Sequence, residues 1–278
     1  MSEQERKILR REFLRRGGRI AAGAALAAGG LDAISKQTAQ GGVDDDLDRY
    51  DFIMPRVKFV DGKNVQDHWD VRPGGDANLL EELRSVVRCK IKPITETSNW
   101  SPQVARPGQL NAVVTWDEPE RLKKYPFLFM TGENYYKLSL SQEKNLKEYI
   151  EQGGFLLMDD CMVDPGGDFF YQDSFKILNK IFGDGAVKRV PNEHEVFHNV
   201  YDLGSIGLPW VQAQNHGARG VFIGDRLAIF LSSTDLHCGW CDGALQVFGR
   251  GGKKGYGTHG YKEAIEMGIN IIMYALTH

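Results

Sequence analysis

An α/β fold built on a mostly parallel sheet flanked by helices follows from three features of the chain. First, two short apolar runs, "FLFM" (127–130) and "FLLM" (155–158), are too continuous for half-exposed strands and read as strands buried on both faces. Second, the segment between them is helical. Ser139 and Gln142 form a capping box, Leu146, Tyr149 and Ile150 share one face, and Gly153 closes the last turn. Third, strand, helix and strand with tight connections make a βαβ unit, whose strands are parallel neighbours.

The remaining elements are read around that unit in chain order. Residues 52–60 form a strand, placed at a sheet edge because Pro55 cannot donate to a ladder. "WDVRPGGDANLLEELRSVVRC" is a helix with Asp76 or Asn78 as N-cap and Leu79, Leu80, Leu83, Val86 and Val87 on its inner face. Pro93, Pro102 and Pro107 break the next stretch into loop and short strand. A helix then runs through Tyr171, Phe175, Leu178 and Phe182 to Gly183, and 187–190 is a further strand. Two apolar runs, 221–223 and 227–231, flank Gly224-Asp225-Arg226 as a hairpin, and an apolar helix covers about 261–276. There are no internal repeats, so 50–278 reads as a single α/β domain.

Hydrophobic content of 42% and charged content of 26% fit a globular protein. The net charge of -3 is unevenly spread. Residues 1–40 carry eight Lys/Arg against four acids, leaving 26 basic and 33 acidic residues, a net charge of -7, in the body. An acidic body lacks the clustered Lys/Arg that phosphate backbones require, which excludes a nucleic-acid partner. In the basic leader, "LRREFLRRGGRIAAGAALAAGG" sets Arg10 and Arg11 before Phe13 and Leu14 and an Ala/Gly-rich apolar run. That pattern resembles a twin-arginine export signal, with Leu9 replacing the usual Ser or Thr. The run is too short to span a bilayer, so the expectation is an export leader and linker over 1–40 and no transmembrane helix in the mature chain. Export through the twin-arginine machinery would deliver the folded chain to the periplasm or cell envelope, anchored there if the leader is uncleaved.

In open α/β sheets the ligand crevice lies beyond the carboxyl ends of the strands. Thr131-Gly132, Asp159-Asp160-Cys161 and Ser232-Ser233-Asp235 each follow an apolar run, so all three are expected to converge there. A bland use exists for the acidic pair, because either Asp can cap backbone amides in a turn. Two carboxylates with an imidazole also suit a divalent metal ion, which makes Asp159, Asp160 and His194 a candidate ligand set.

"YPFLFMTGENYYKLSLSQEKNLKEYIEQGGFLLMDDC", with "NEHEVFHNVYDL", "DRLAIFLSSTDLHCGW", "GINIIMYALTH" and the upstream "WDVRPGGDANLLEEL", resembles the bacterial family called Domain of Unknown Function 4159. The resemblance runs from about residue 50 to the C-terminus. It implies a three-layer sandwich like the class I glutamine amidotransferases (flavodoxin-like), without implying their chemistry, and it brings no settled activity. The amidotransferase nucleophile sits in a Gly-x-Cys-x-Gly elbow, whereas Cys161 has no flanking glycine and follows two carboxylates that disfavour its thiolate. Trp240 belongs to the family pattern and is expected to line the crevice.

Three further motifs compete for a role. "HEVFH" matches the zinc-peptidase pattern, with His194 and His198 as ligands and Glu195 as base, but Pro191 and Gly204 leave little room for the helix it needs. "HCGWC" places Cys238 and Cys241 in a C-x-x-C followed by an Asp-Gly turn, which reads as a local disulfide or two unpaired thiols. "GYGTHG" (255–260) lacks the strand and acidic residue of a dinucleotide fingerprint and reads as a basic loop with Arg250, Lys253 and Lys254. The crevice residues are therefore Thr131, Gly132, Asp159, Asp160, Cys161, Asp235 and Trp240, with Asp159, Asp160, His194 and His198 as metal candidates. The reading they favour is an exported ligand-binding or accessory module serving an envelope partner or small-molecule ligand. The alternatives are a metal-assisted hydrolase at Asp159, Asp160 and His194, and a zinc peptidase at His194-Glu195-x-x-His198.

Overall fold

The computed structural model describes residues 47–60, 68–94, 109–161, 167–241, 257 and 259–278. The leader, most of the acidic linker and the basic loop residues Arg250, Lys253 and Lys254 lie outside the described residues. In chain order the elements are β1 (Pro55–Lys58), α1 (Pro73–Val86), β2 (Ala112–Thr115), α2 (Pro119–Leu122), β3 (Phe127–Gly132), α3 (Leu140–Glu151), β4 (Phe155–Asp160), α4 (Phe169–Phe182) and β5 (Val187–Arg189). A 3-10 turn (Glu195–Phe197), β6 (Arg219–Ile223), β7 (Arg226–Ser232), α5 (Leu236–Gly239) and α6 (Tyr261–Thr277) complete it. No described helix is long and apolar enough to cross a membrane.

The seven strands form one sheet in the order β2-β1-β3-β4-β7-β6-β5. Neighbours from β2 through β7 are parallel, and the β6–β7 hairpin and the β5–β6 pair are antiparallel. Period-two alternation in the buried strands separates two cores. Phe127, Phe129, Phe155, Leu157 and Phe230 pack against Leu79, Leu80 and Leu83 of α1 and the apolar length of α6. Leu128, Met130, Leu156, Met158 and Leu231 pack against Leu146 and Ile150 of α3 and Phe170 and Leu178 of α4. Each such fully buried side chain contributes about 1.5–3 kcal/mol of transfer free energy. The βαβ unit forms as its sequence dictates: Gln142 N donates to Ser139 Oγ, the Gln142 side chain accepts from Ser139 N, and Gly153 takes φ 98° at the turn into β4.

Two local expectations are corrected. β1 is an interior strand, flanked by β2 and β3. Pro55 is its first residue, where a missing donor costs the ladder least. α1 begins at Pro73, with Arg72 in the left-handed region as its N-cap residue. Asp76 is therefore inside the first turn and buried, engaged with Arg56 of β1 instead of capping. The one polar residue deep in α6, Asn270, is satisfied by the loop after the 3-10 turn: its Oδ1 accepts from Val200 N (3.0 Å) and Tyr201 N (2.9 Å), and its Nδ2 donates to Tyr201 O (2.8 Å).

Candidate functional site

The carboxyl ends of β3, β4 and β7 converge as the parallel register requires: Thr131 lies opposite Asp159, Gly132 opposite Asp160, and Asp159 opposite Ser232. Alternation then sends the two acids of β4 to opposite faces of the sheet. Asp159 points to the α1/α6 side and accepts from the backbone N–H of Leu236 (3.2 Å) and His237 (2.8 Å), the first turn of α5. Asp160 points to the α4 side and accepts from Tyr171 N at 2.5 Å, while its Oδ1 is buried without a partner. Both are fully buried. Burial, reinforced by the neighbouring Asp235 carboxylate, raises the pKa of Asp159 to about 7 against its own hydrogen bonds. Burial likewise holds the Asp160 pKa well above the usual carboxylate range. Gly132 is not an open floor: a Cβ there would stand 2.8 Å from Phe59 Cζ and 3.1 Å from Phe170 Cδ2.

On the α1/α6 face lies a buried ionic network of residues absent from the sequence-derived set. Arg56 of β1 is fully buried and meets Asp76 of α1 through two bonds, Nε–Oδ2 at 2.9 Å and Nη2–Oδ1 at 2.6 Å. It also donates to the carbonyls of Trp69 (2.8 Å) and Val71 (3.0 Å), and its Cζ stands 4.7 Å over the Phe129 ring. His237 Nε2 completes the network 2.7 Å from Arg56 Nη2. The same His237 nitrogen lies 3.2 Å from Asp76 Oδ1 and 3.2 Å from the Arg72 carbonyl, and burial and the Arg56 charge lower the His237 pKa, so the ring is neutral. Burial would raise the Asp76 pKa, but Arg56 and His237 outweigh it and hold the group ionised. His237 Nδ1 remains buried and unpartnered.

The two thiols at this edge face each other. Cys161 Sγ is 3.8 Å from Cys238 Sγ, and Arg72 Nη1 lies 3.0 Å from Cys238 Sγ and 3.6 Å from Cys161 Sγ. Asp235, with φ 57°, accepts from Cys238 N (3.3 Å) and from Gln212 Nε2. Among the described residues, Cys161, Asp235 and Cys238 are the group whose ligand atoms lie within 4.8 Å of one another. The Arg72 guanidinium beside both sulfurs competes with a cation for that place. The Cys238 pKa is raised overall: the hydrogen bond with Cys161 lowers it, but burial and Asp235 together prevail.

Other expected ligands are elsewhere. His194 packs against Phe222 of β6 (5.8 Å) and Tyr274 of α6 (5.3 Å). Tyr274 Oη in turn accepts from Leu227 N, at the start of β7. His194 therefore sits at the amino edge of the sheet, a strand length of roughly 17 Å from Asp159 and Asp160. "HEVFH" forms a three-residue 3-10 turn, not the α-helix that would align His194 with His198. His194 Nδ1 accepts from Val196 N, and His198 bonds Asn192 O through Nε2 and Asp202 through Nδ1, both at 2.9 Å. Trp240 packs in the interior on the α1/α6 side. It is fully buried, meets the Phe129 ring at a tilt and the His237 ring edge-on, and donates to Ala264 O at 2.9 Å. "HCGWC" begins in α5, where Cys238 Sγ meets Cys161 Sγ, and the Asp242-Gly243 that follows it lies outside the described residues.

The α4 side of the same edge carries a polar cluster that spacing did not reveal. His216 is half-exposed and stacks on Tyr171 at 4.7 Å, with Nε2 2.6 Å from Asp168 Oδ2. Its backbone N donates to Ser233 Oγ at 3.0 Å. The only signal for this pair was position, since Asp168 precedes α4 and His216 precedes β6. With this geometry in hand the class is clear: a doubly wound α/β domain whose polar residues gather at the carboxyl edge of a mostly parallel sheet. Residues 56–276 match the family described as Domain of unknown function (DUF4159), and the chain belongs to that family. No curated protein matches the chain.

Proposed function

We propose that this chain is an exported ligand-binding or accessory module of the cell envelope. The observation that carries this reading is the division of the acidic pair: Asp159 holds the amides of α5 and Asp160 the first turn of α4, on opposite faces of the sheet. A metal-assisted hydrolase needs both carboxylates on one ion with an imidazole beside them, and His194 belongs to the other edge. The half-exposed His216 with Asp168 and Tyr171 is the polar surface at which a small molecule or partner segment would be met. Export rests on Arg10 and Arg11 with their flanks.

The metal content of the full chain purified without chelator tests the first part, beside an Asp159→Ala variant. The binding reading expects no stoichiometric divalent ion that depends on Asp159. One ion per chain, lost with Asp159, would restore the hydrolase. Replacing Arg10 and Arg11 together by Lys tests the second part: export should stop, and unchanged export would remove the twin-arginine assignment.

A further inference from the structure

We propose that Cys161 and Cys238 are a disulfide site that clamps the end of β4 to α5, closed by exchange with a small-molecule disulfide. Sequence spacing points to a different pair, Cys238 with Cys241. In the structure the Cys238 sulfur is 3.8 Å from Cys161 Sγ, 77 residues away, while Cys241 Sγ lies 3.9 Å from the carbonyl of His237. All three sulfurs are buried.

The backbones on both sides are already fixed. Cys161 N donates to Gly132 O at 2.9 Å, extending the β3–β4 ladder by one residue. Two residues earlier, Asp159 holds the amides of Leu236 and His237. Residues 159 and 161 thus face 236–238 along one short seam. A covalent bond needs the sulfurs about 2 Å apart, so each moves by about 1 Å, within reach of rotation about the Cα–Cβ bonds. Arg72 supplies the electrostatics. Its guanidinium touches both sulfurs and offsets part of the burial and Asp235 repulsion that raise the Cys238 pKa. A bulky residue held at φ 45° is backbone strain of the kind that accompanies a functional placement.

The chemistry balances. One thiol loses its proton, and the thiolate attacks the small-molecule disulfide. A mixed disulfide forms, and the departing thiolate takes up that proton. The second protein thiol then loses its proton and attacks the protein-linked sulfur. This forms the Cys161–Cys238 bond and releases a second thiolate, which is protonated in turn. Two protein thiols are oxidised by two electrons and one small-molecule disulfide is reduced to two thiols.

The test is refolding of the full chain from denaturant in oxidised and reduced glutathione, followed by alkylation and a non-reducing peptide mass map. Refolding gives the oxidant access to both sulfurs. The expected product joins the peptides of Cys161 and Cys238, with both thiols lost together as the buffer becomes oxidising. Cys241→Ser should give the same product, and Cys161→Ser should leave Cys238 free instead of shifting it to Cys241. A Cys238–Cys241 link would overturn the proposal. So would four free thiols in fully oxidised glutathione, or thiols protected by an ion that a chelator removes. If Cys161→Ser does not fold, wild type and Cys241→Ser alone decide between the two pairings.

Discussion

Replacing Asp76 by Asn should be among the most damaging single changes in the domain. The substitution keeps the shape and removes the charge, leaving the Arg56 guanidinium fully buried with carbonyls and a neutral imidazole as its remaining partners. Removing one partner of a buried ion pair costs about 3–5 kcal/mol, because the surviving charge is uncompensated in a medium that solvates it poorly. For a domain of this size each kcal/mol lowers Tm by about 2–4 °C, so the drop should be about 6–20 °C. Urea unfolding followed by circular dichroism would read it as a fall in midpoint with an unchanged slope. Arg56→Met combined with Asp76→Leu should recover most of the loss, since an apolar replacement of both partners removes the desolvation cost as well as the attraction. The exposed pair Lys144–Glu148, at 3.7 Å, is the control, and Lys144→Ala should cost below about 0.5 kcal/mol. A loss under about 1 kcal/mol for Asp76→Asn, or a double variant as unstable as the single, would refute the reasoning.

Further expectations concern pH, packing and capping. Because the folded chain raises Asp159 from 3.8 to about 7, its protonated form is the one that folding favours. Its stabilising contribution is complete below about pH 4 and is lost as pH rises through 7, a change on the order of 4 kcal/mol. Asp160 acts in the same direction, so Asp159→Asn should flatten part of the decline measured by denaturant titrations from pH 4 to 8. Gly132→Ala should cost about 1–3 kcal/mol in the same assay, because the added methyl group meets the Phe59 ring at 2.8 Å; a neutral result would mean the aromatic cluster yields freely. Ser139→Ala breaks the capping box of α3 and should cost about 1 kcal/mol, with unchanged stability contradicting the cap.

The β3–α3–β4 unit was legible because its signals are local: two apolar runs, a capping box and a closing glycine all lie within 34 residues, Phe127 to Asp160. Convergence of Thr131, Asp159 and Ser232 followed from parallel pairing alone. What escaped depends on partners far along the chain. Asp76 reads as a cap until Arg56 is placed across from it, and Cys238 reads as half of a C-x-x-C until β4 brings Cys161 alongside. Pro55 suggested an edge strand because its missing donor is visible in sequence, while its position as first residue of the strand is not. "HEVFH" misled through spacing, since i,i+4 places two side chains together only on a helix and this segment is one 3-10 turn. Asp159 and Asp160 were correctly placed at the strand ends, but adjacency concealed that consecutive strand residues face opposite sides.

Native-state amide hydrogen exchange on wild type, Asp159→Ala and Asp160→Ala tests most directly the claim that the two acids hold different helices. Asp159→Ala should deprotect the amides of Leu236 and His237 and leave Tyr171 unchanged, and Asp160→Ala should do the reverse. Loss of the same set of amides in both variants, or of none in either, would contradict it and return the pair to service as a joint ligand.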